Sequence, residues 1–172
     1  MPLTFGVTHD TLHSYSVLQT DTMTLDDLNN EWINDSDIDP SELGNESLKT
    51  PKLHQKWSWY LVEEKKALYA LVHQLEQRSI VWEMWLLKTM TESERQDYNN
   101  AGYKLPPFSD KRILKPDVEK NLNSIDEISK LKIKIGLQND KIDYIKSVLG
   151  MIGNRSFQIK DAIAWAQYTS GL

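Results

Sequence analysis

From Ile128 to Ile152 the apolar residues never lose step. Ile128, Leu131, Ile135, Gln138, Ile142, Ile145, Leu149 and Ile152 follow one another at alternating intervals of three and four, with Gln138 the one polar member. Such a heptad seam puts one narrow apolar stripe along a helix, and that stripe needs a partner helix to cover it. A single polar residue on the seam can fix its register. Ser124 and Glu127 form an S-x-x-E capping box, which predicts a helix start near Ser124. Gly150 and Gly153 are expected to end the helix, with a short closing helix after them.

The partner stripe lies upstream. Between Pro51 and Lys88, residues Trp57, Leu61, Leu68, Leu71, Leu75, Trp82 and Trp85 recur at helical spacing with no Gly or Pro after Pro51. A helix of that reach is about 50 Å long and must lean on another. Ahead of it, Thr24 with Asp27 marks a short acid-capped helix carrying Leu25, Leu28 and Trp32 on one face. Asp39-Pro40 then predicts a turn or two of helix over 40–48. Residues 89–116, punctuated by NNAG, LPP and KP, are expected to be a long loop. The fold class that follows is all-α: a long antiparallel helix pair with short N- and C-terminal helices. The expected division is an extension over 1–22, an acidic segment with short helices over 23–50, and a helical core over 51–172.

Several function classes are disfavoured. No run approaches the roughly 18 apolar residues of a membrane span, and MPLTFGVTHD lacks the basic start of a signal peptide. With no cysteine there is neither disulfide nor thiol chemistry, and a reducing cytoplasm is the expected setting. No P-loop, catalytic triad or close carboxylate pair is signalled, so the chain is not expected to be an enzyme. Asp35, Asp37, Asp39 and Glu46 fall on positions one, three, five and twelve of an EF-hand loop, but Pro40 stands where the loop needs Gly. His9 and His13 lack the Glu of HExxH. No metal and no cofactor is expected.

Charge is more informative. Residues 1–50 hold one Lys against ten Asp or Glu, a net −9, while residues 51–172 hold 19 basic and 15 acidic side chains, a net +4. That body mixes cations with aromatics: Trp82, Trp85, Lys88, Tyr98, Tyr103, Lys104, Lys111, Arg112 and Lys115 have the makings of phosphate neutralisation plus base stacking. The plainer account makes the tryptophans core and the lysines solvated surface. At the end of the chain, Ile159, Ala162, Ile163 and Ala166 form an apolar stripe beside Phe157, Trp165 and Tyr168, with little chain left to cover it.

Six stretches carry a resemblance: TLDDLNNEW, IDPSEL, SLKTPKLHQKW, the pair Lys65–Lys66, KRILKPDV, and NRSFQIKDAIAW with its closing TSG. In order and spacing they resemble the UvsY-type recombination mediators of tailed phages, the cyanophage branch in particular. The resemblance runs from Met23 to the C-terminus, weakly in the middle loop, which makes Met23 a candidate start. It implies a homo-oligomeric ring, a heptamer in the best-known member, that binds single-stranded DNA in the host cytoplasm. It further implies that the protein helps load a RecA-like recombinase onto DNA coated with single-strand-binding protein. Oligomerisation would fall to Leu149, Ile152, Phe157, Ile159, Ile163 and Trp165; the alternative is that these residues cap their own helix pair. A basic-x-basic step linked to DNA binding in the best-known member is replaced here by Ile80 and Trp82. Charge for DNA would then come from Arg78, Lys88, Lys104, Lys111, Arg112 and Lys115. Arg155 and Lys160 match family positions, with a structural role beside the interface as open as phosphate contact. The competing class is a helical assembly or scaffold protein with no DNA role.

Overall fold

The computed structural model describes residues 23–109 and 113–171. The extension over 1–22, with His9 and His13, lies outside the described residues, as do Lys111 and Arg112. Among the described residues there are five α-helices and no strand: α1 (Leu25–Ser36), α2 (Leu43–Leu87), α3 (Glu92–Asn100), α4 (Val118–Asn123) and α5 (Asp126–Ser170), with a 3-10 turn at Lys115–Asp117 before α4. None is long and apolar enough to cross a membrane. The chain forms two compact units, one from the residues up to Ala67 with those from Lys141 onward, the other from Leu68–Asp140. In each, a stretch of α2 runs antiparallel to a stretch of α5.

In the first unit the core is Leu28, Trp57, Ile145, Val148 and Ile152, ringed by Trp32, Leu53, Tyr60, Leu61 and Leu149. Trp57 packs edge-on to Trp32 (5.8 Å) and to Tyr60 (5.4 Å), the geometry that aromatic quadrupoles favour. Polar ties mark the antiparallel register. Glu64 pairs with Lys141 at 2.7 Å, and Glu46 with Arg155 at 2.6 Å. The Arg155 guanidinium is buried and also donates to the carbonyls of Ser36 (3.0 Å) and Asp37 (2.8 Å), just past the end of α1. A planar fork of five donors suits several acceptors at once, which a lysine there would not match.

In the second unit Val81, Trp82, Met90, Leu105 and Ile128 form the core, with Leu75, Trp85, Tyr98, Tyr103 and Phe108 against it. The Trp82 indole donates to Glu127 at 2.9 Å and packs edge-on to Trp85 at 5.6 Å. The seam residues Ile128, Leu131, Gln138, Ile142, Ile145 and Ile152 are all buried, as the period requires.

Four boundaries differ from the sequence expectation, each for a physical reason. Helix α2 starts at Leu43, so the turn over 40–48 and the helix from Pro51 are one element with Pro51 inside it. Proline removes an N–H that Ser47 would have used, at a cost of about 3 kcal/mol. Tertiary contacts on both sides hold the axis: Glu46 bonds Arg155 before the proline, and Trp57 fills the core after it.

Helix α5 does not stop at Gly150 or Gly153. Each mid-helix glycine costs about 1 kcal/mol against alanine, yet Val148, Ile152, Arg155 and Ile159 are buried on either side of them and keep the helix in line. The helix begins at Asp126, and the box at Ser124 does not form. Ser124 caps the end of α4 with its hydroxyl on the Asn121 carbonyl (2.6 Å), while Glu127 serves Trp82 and Arg78.

The expected loop over 89–116 contains α3. Thr91 and Glu94 form its capping box: the Glu94 N–H donates to Thr91 Oγ1 at 3.2 Å, and the Thr91 N–H to Glu94 Oε2 at 2.6 Å. The corresponding Thr24–Asp27 box on α1 forms as its sequence predicts. The Thr24 side-chain bond, then its backbone N–H, holds the Asp27 carboxyl below its ordinary value.

Candidate nucleic-acid interface

The described cations over 78–115 divide into two kinds. Arg78 is turned inward. Its guanidinium lies 3.9 Å from the Tyr103 ring and 3.1 Å from Glu127, and its side chain is 20% exposed. Arg95 likewise serves the fold, donating to the Leu105 carbonyl at 2.9 Å and pairing with Glu92. Both hold the segment 101–108 in place, with help from Asn99, whose amide brackets the Leu105 backbone (2.7 and 3.0 Å), and from Trp85, whose indole donates to Pro106 at 2.8 Å. Burial first, opposed by Arg78, pushes the Tyr103 phenol upward.

Lys88, Lys104 and Lys115 are the other kind. They are exposed and make no ion pair with another described residue. The mixture of cations and aromatics therefore separates: Trp82, Trp85, Tyr98, Tyr103 and Phe108 turn into the core, and the three lysines stay in solvent. Free ammonium groups without acidic partners are suited to phosphate.

Lys88 has a local peculiarity. It has φ 54°, the left-handed region, at the end of α2. Its N–H bonds the Trp85 carbonyl (3.2 Å) and the next N–H, of Thr89, bonds Met84 (3.0 Å). This is a Schellman ending with lysine where glycine is usual.

The apolar C-terminal stripe also divides. Ile152 and Ile159 are buried within the chain, and Leu149 is half-buried against the same core. Phe157 (68% exposed), Ile163 and Trp165 (68% exposed) are left in solvent, and Trp165 stacks on Tyr168 at 6.0 Å and 30°. Lys160 is exposed, while Arg155 is fixed in the buried fork described above.

The acidic run is fully occupied by structure. Asp35 accepts from Trp57 Nε1 (2.8 Å) and pairs with Lys56 (2.7 Å), Asp39 caps Ser41, and Glu46 serves Lys49 and Arg155. No group of three or more acidic or histidine ligands converges among the described residues. Burial lowers the Lys56 ammonium, but bonds to Asp35 and Glu31 outweigh it and raise it overall.

One further set of side chains escapes the period-based reading. Trp59 stands two residues from Trp57 and so points away from the core, 60% exposed, with lysines on its own face.

Among the described residues the chain is all helical, with α2 and α5 antiparallel within each unit, which defines the class as an all-α protein built on a long helix pair. Two crystal structures of the bacteriophage T4 recombination mediator protein UvsY match the fold. The first has a TM-score of 0.63 at 22% identity and covers 86% of this chain and 98% of that one. The second, in another lattice, has 0.62 at 22%, covering 83% and 98%. The chain belongs to the family described as recombination, repair and ssDNA binding protein UvsY, whose model matches residues 31–172. No curated protein matches it in sequence closely enough to count as a relative.

Proposed function

We propose that this protein is a recombination mediator that binds single-stranded DNA as a homo-oligomeric ring. In that role it promotes loading of a RecA-like recombinase onto DNA coated with single-strand-binding protein, in the cytoplasm of the infected host cell. The observation that carries the reading is family membership over residues 31–172. The free lysines Lys88, Lys104 and Lys115 support it, and Lys111 and Arg112 lie in the same stretch of chain. Arg78 drops from the contact set because Glu127 and Tyr103 already hold it.

Phe157, Ile163 and Trp165 are the residues proposed to meet neighbouring copies, with the seam up to Ile152 and Ile159 supporting them from within the chain. Each copy supplies few cations, so a single copy binds weakly. A ring repeats the patch and raises its effective concentration, so avidity multiplies the affinity. Holding the strand in one shape then favours whichever protein prefers that shape, a population shift on the DNA with no bond chemistry.

A scaffold without a DNA role is the second reading. It is favoured by Ile80, which is exposed, and Trp82, which is buried on Glu127, at the two places where the best-known member has cations. Particle mass, measured with and without a short oligonucleotide at two salt concentrations, separates the two. A mediator gives a ring-sized particle whose DNA binding falls steeply with salt. Charge reversal of Lys104 and Lys115 to Glu weakens that binding and leaves the mass unchanged. A particle indifferent to the oligonucleotide at low salt refutes the mediator reading.

A further inference from the structure

Helix α2 carries an exposed stripe that the core does not use. Lys52, Gln55, Trp59, Val62 and Lys66 follow at intervals of three and four on one face, two apolar side chains flanked by a Gln amide and two ammonium groups on aliphatic stems. Trp59 and Val62 are both exposed. The Lys66 ammonium lies 5.4 Å from the centre of the Trp59 ring. Around Trp59 is a shallow depression of about 550 Å³ lined by Lys52, Gln55, Lys56, Ser58, Tyr60 and Val62.

We propose that this stripe is a base-stacking site for single-stranded nucleic acid, in which Trp59 receives a base and Lys52 and Lys66 neutralise the flanking phosphates. The inference rests on the DNA-binding reading above and gives it a second, separate contact surface. An exposed indole offers a broad apolar ring, and every nucleobase has a face to lay on it, so stacking is strong and tolerant of sequence. Gln55 offers both a donor and an acceptor to a base edge. Lys52 has no ion-pair partner among the described residues. Lys66 pairs with Glu63 at 2.7 Å, but Lys66 is exposed and Glu63 only half-buried, so the pair is worth little and a phosphate can displace it. Over the fourteen residues from Lys52 to Lys66 the helix rises about 21 Å, enough for about six stacked nucleotides.

The chain's own acidic segment is a poorer occupant from a second copy. The carboxylates of Asp27, Glu31, Asp35, Asp39, Glu42 and Glu46 already bond residues of their own chain. Phosphate is therefore the anion proposed for this stripe.

The test compares the full chain with Trp59→Ala, Trp59→Phe and the pair Lys52→Gln with Lys66→Gln. Each is titrated with a fluorescent oligothymidylate and with a base-free oligonucleotide of equal length. Trp59→Ala is expected to weaken the base-bearing oligonucleotide roughly 5- to 150-fold and to leave the base-free one unchanged. Trp59→Phe retains most of the affinity. The double lysine variant flattens the salt dependence for both oligonucleotides. If Trp59→Ala binds oligothymidylate as the parent does, the stripe is not a stacking site, and the mediator reading still stands. If Trp59→Ala changes the particle mass, the stripe is a contact between copies and the inference is overturned. A parent protein that binds neither oligonucleotide removes the DNA-binding reading and the inference with it.

Discussion

Replacing Leu28 with alanine tests how the short first helix is held. Leu28 is 0% exposed and is the one buried residue of α1. The change removes three carbons at about 0.8 kcal/mol each, about 2.4 kcal/mol of transfer free energy. A residual cavity against Trp57 and Ile145 adds to this, for an expected loss of about 3 kcal/mol, within the 2–5 kcal/mol that such truncations cost. A twelve-residue helix is marginal on its own, so the deficit falls first on the docking of α1.

Hydrogen exchange followed by mass spectrometry reads this directly. Protection of the α1 amides is expected to drop at least about 50-fold, while α3, in the other unit, is unchanged. Leu25→Ala, at a half-exposed position, is the control and is expected to cost under about 0.5 kcal/mol. A loss below about 1 kcal/mol for Leu28→Ala, or an equal loss of protection in α3, would refute the idea that Leu28 pins α1 to a separate local core.

Three further outcomes follow from features already described. Lys88→Gly relieves a left-handed lysine and is expected to raise stability by about 1 kcal/mol in a denaturant melt, yet to weaken oligonucleotide binding; stability without any loss of binding removes Lys88 from the DNA contacts. Trp165→Ala is expected to reduce particle size in light scattering, since it deletes a large aromatic from the proposed contact between copies; an intact particle assigns that stretch another role. For pH, the carboxyls of Asp27, Glu46 and Glu94 sit below their ordinary values of 3.8, 4.5 and 4.5, held there chiefly by Thr24, Lys49 and the Thr91 N–H respectively. Their stabilisation is therefore complete above about pH 4.5 and is lost as pH falls through the lowered folded-state values; a melting temperature flat from pH 6 to 3 contradicts this.

The long antiparallel pair was legible because its apolar period is uninterrupted, and every seam residue from Ile128 to Ile152 lies buried or half-buried. Helix α3 was not, because ESERQDYNN has no apolar stripe; only its T-x-x-E box, Thr91 to Glu94, announces it. Gly150, Gly153 and Pro51 misled for one reason. Their penalties are local, a few kcal/mol at most, and packing on both sides outweighs them. Arg155 shows the limit from the other direction. Besides Glu46, its acceptors are backbone carbonyls about 120 positions earlier in the chain, and a carbonyl leaves no mark in a sequence. The basic and aromatic cluster was visible as a composition, but its sorting into core rings and free lysines depends on tertiary packing.

The unbroken run of α5 through Gly150 and Gly153 gives the last stretch of the chain a mechanical character. Both glycines lie on the open face, with no other residue within 4 Å of where a Cβ would sit, while Val148, Ile152, Arg155 and Ile159 on the opposite face hold the helix against the core. Tyr168 lies fifteen residues beyond Gly153, about 22 Å along a rigid rod. Past Ile159 the described residues are exposed, so the nine-residue step to Tyr168 extends about 13 Å beyond the last packed turn. The end of α5 is thus a strut anchored as far as Ile159, carrying Ile163, Trp165 and Tyr168 clear of the packed core.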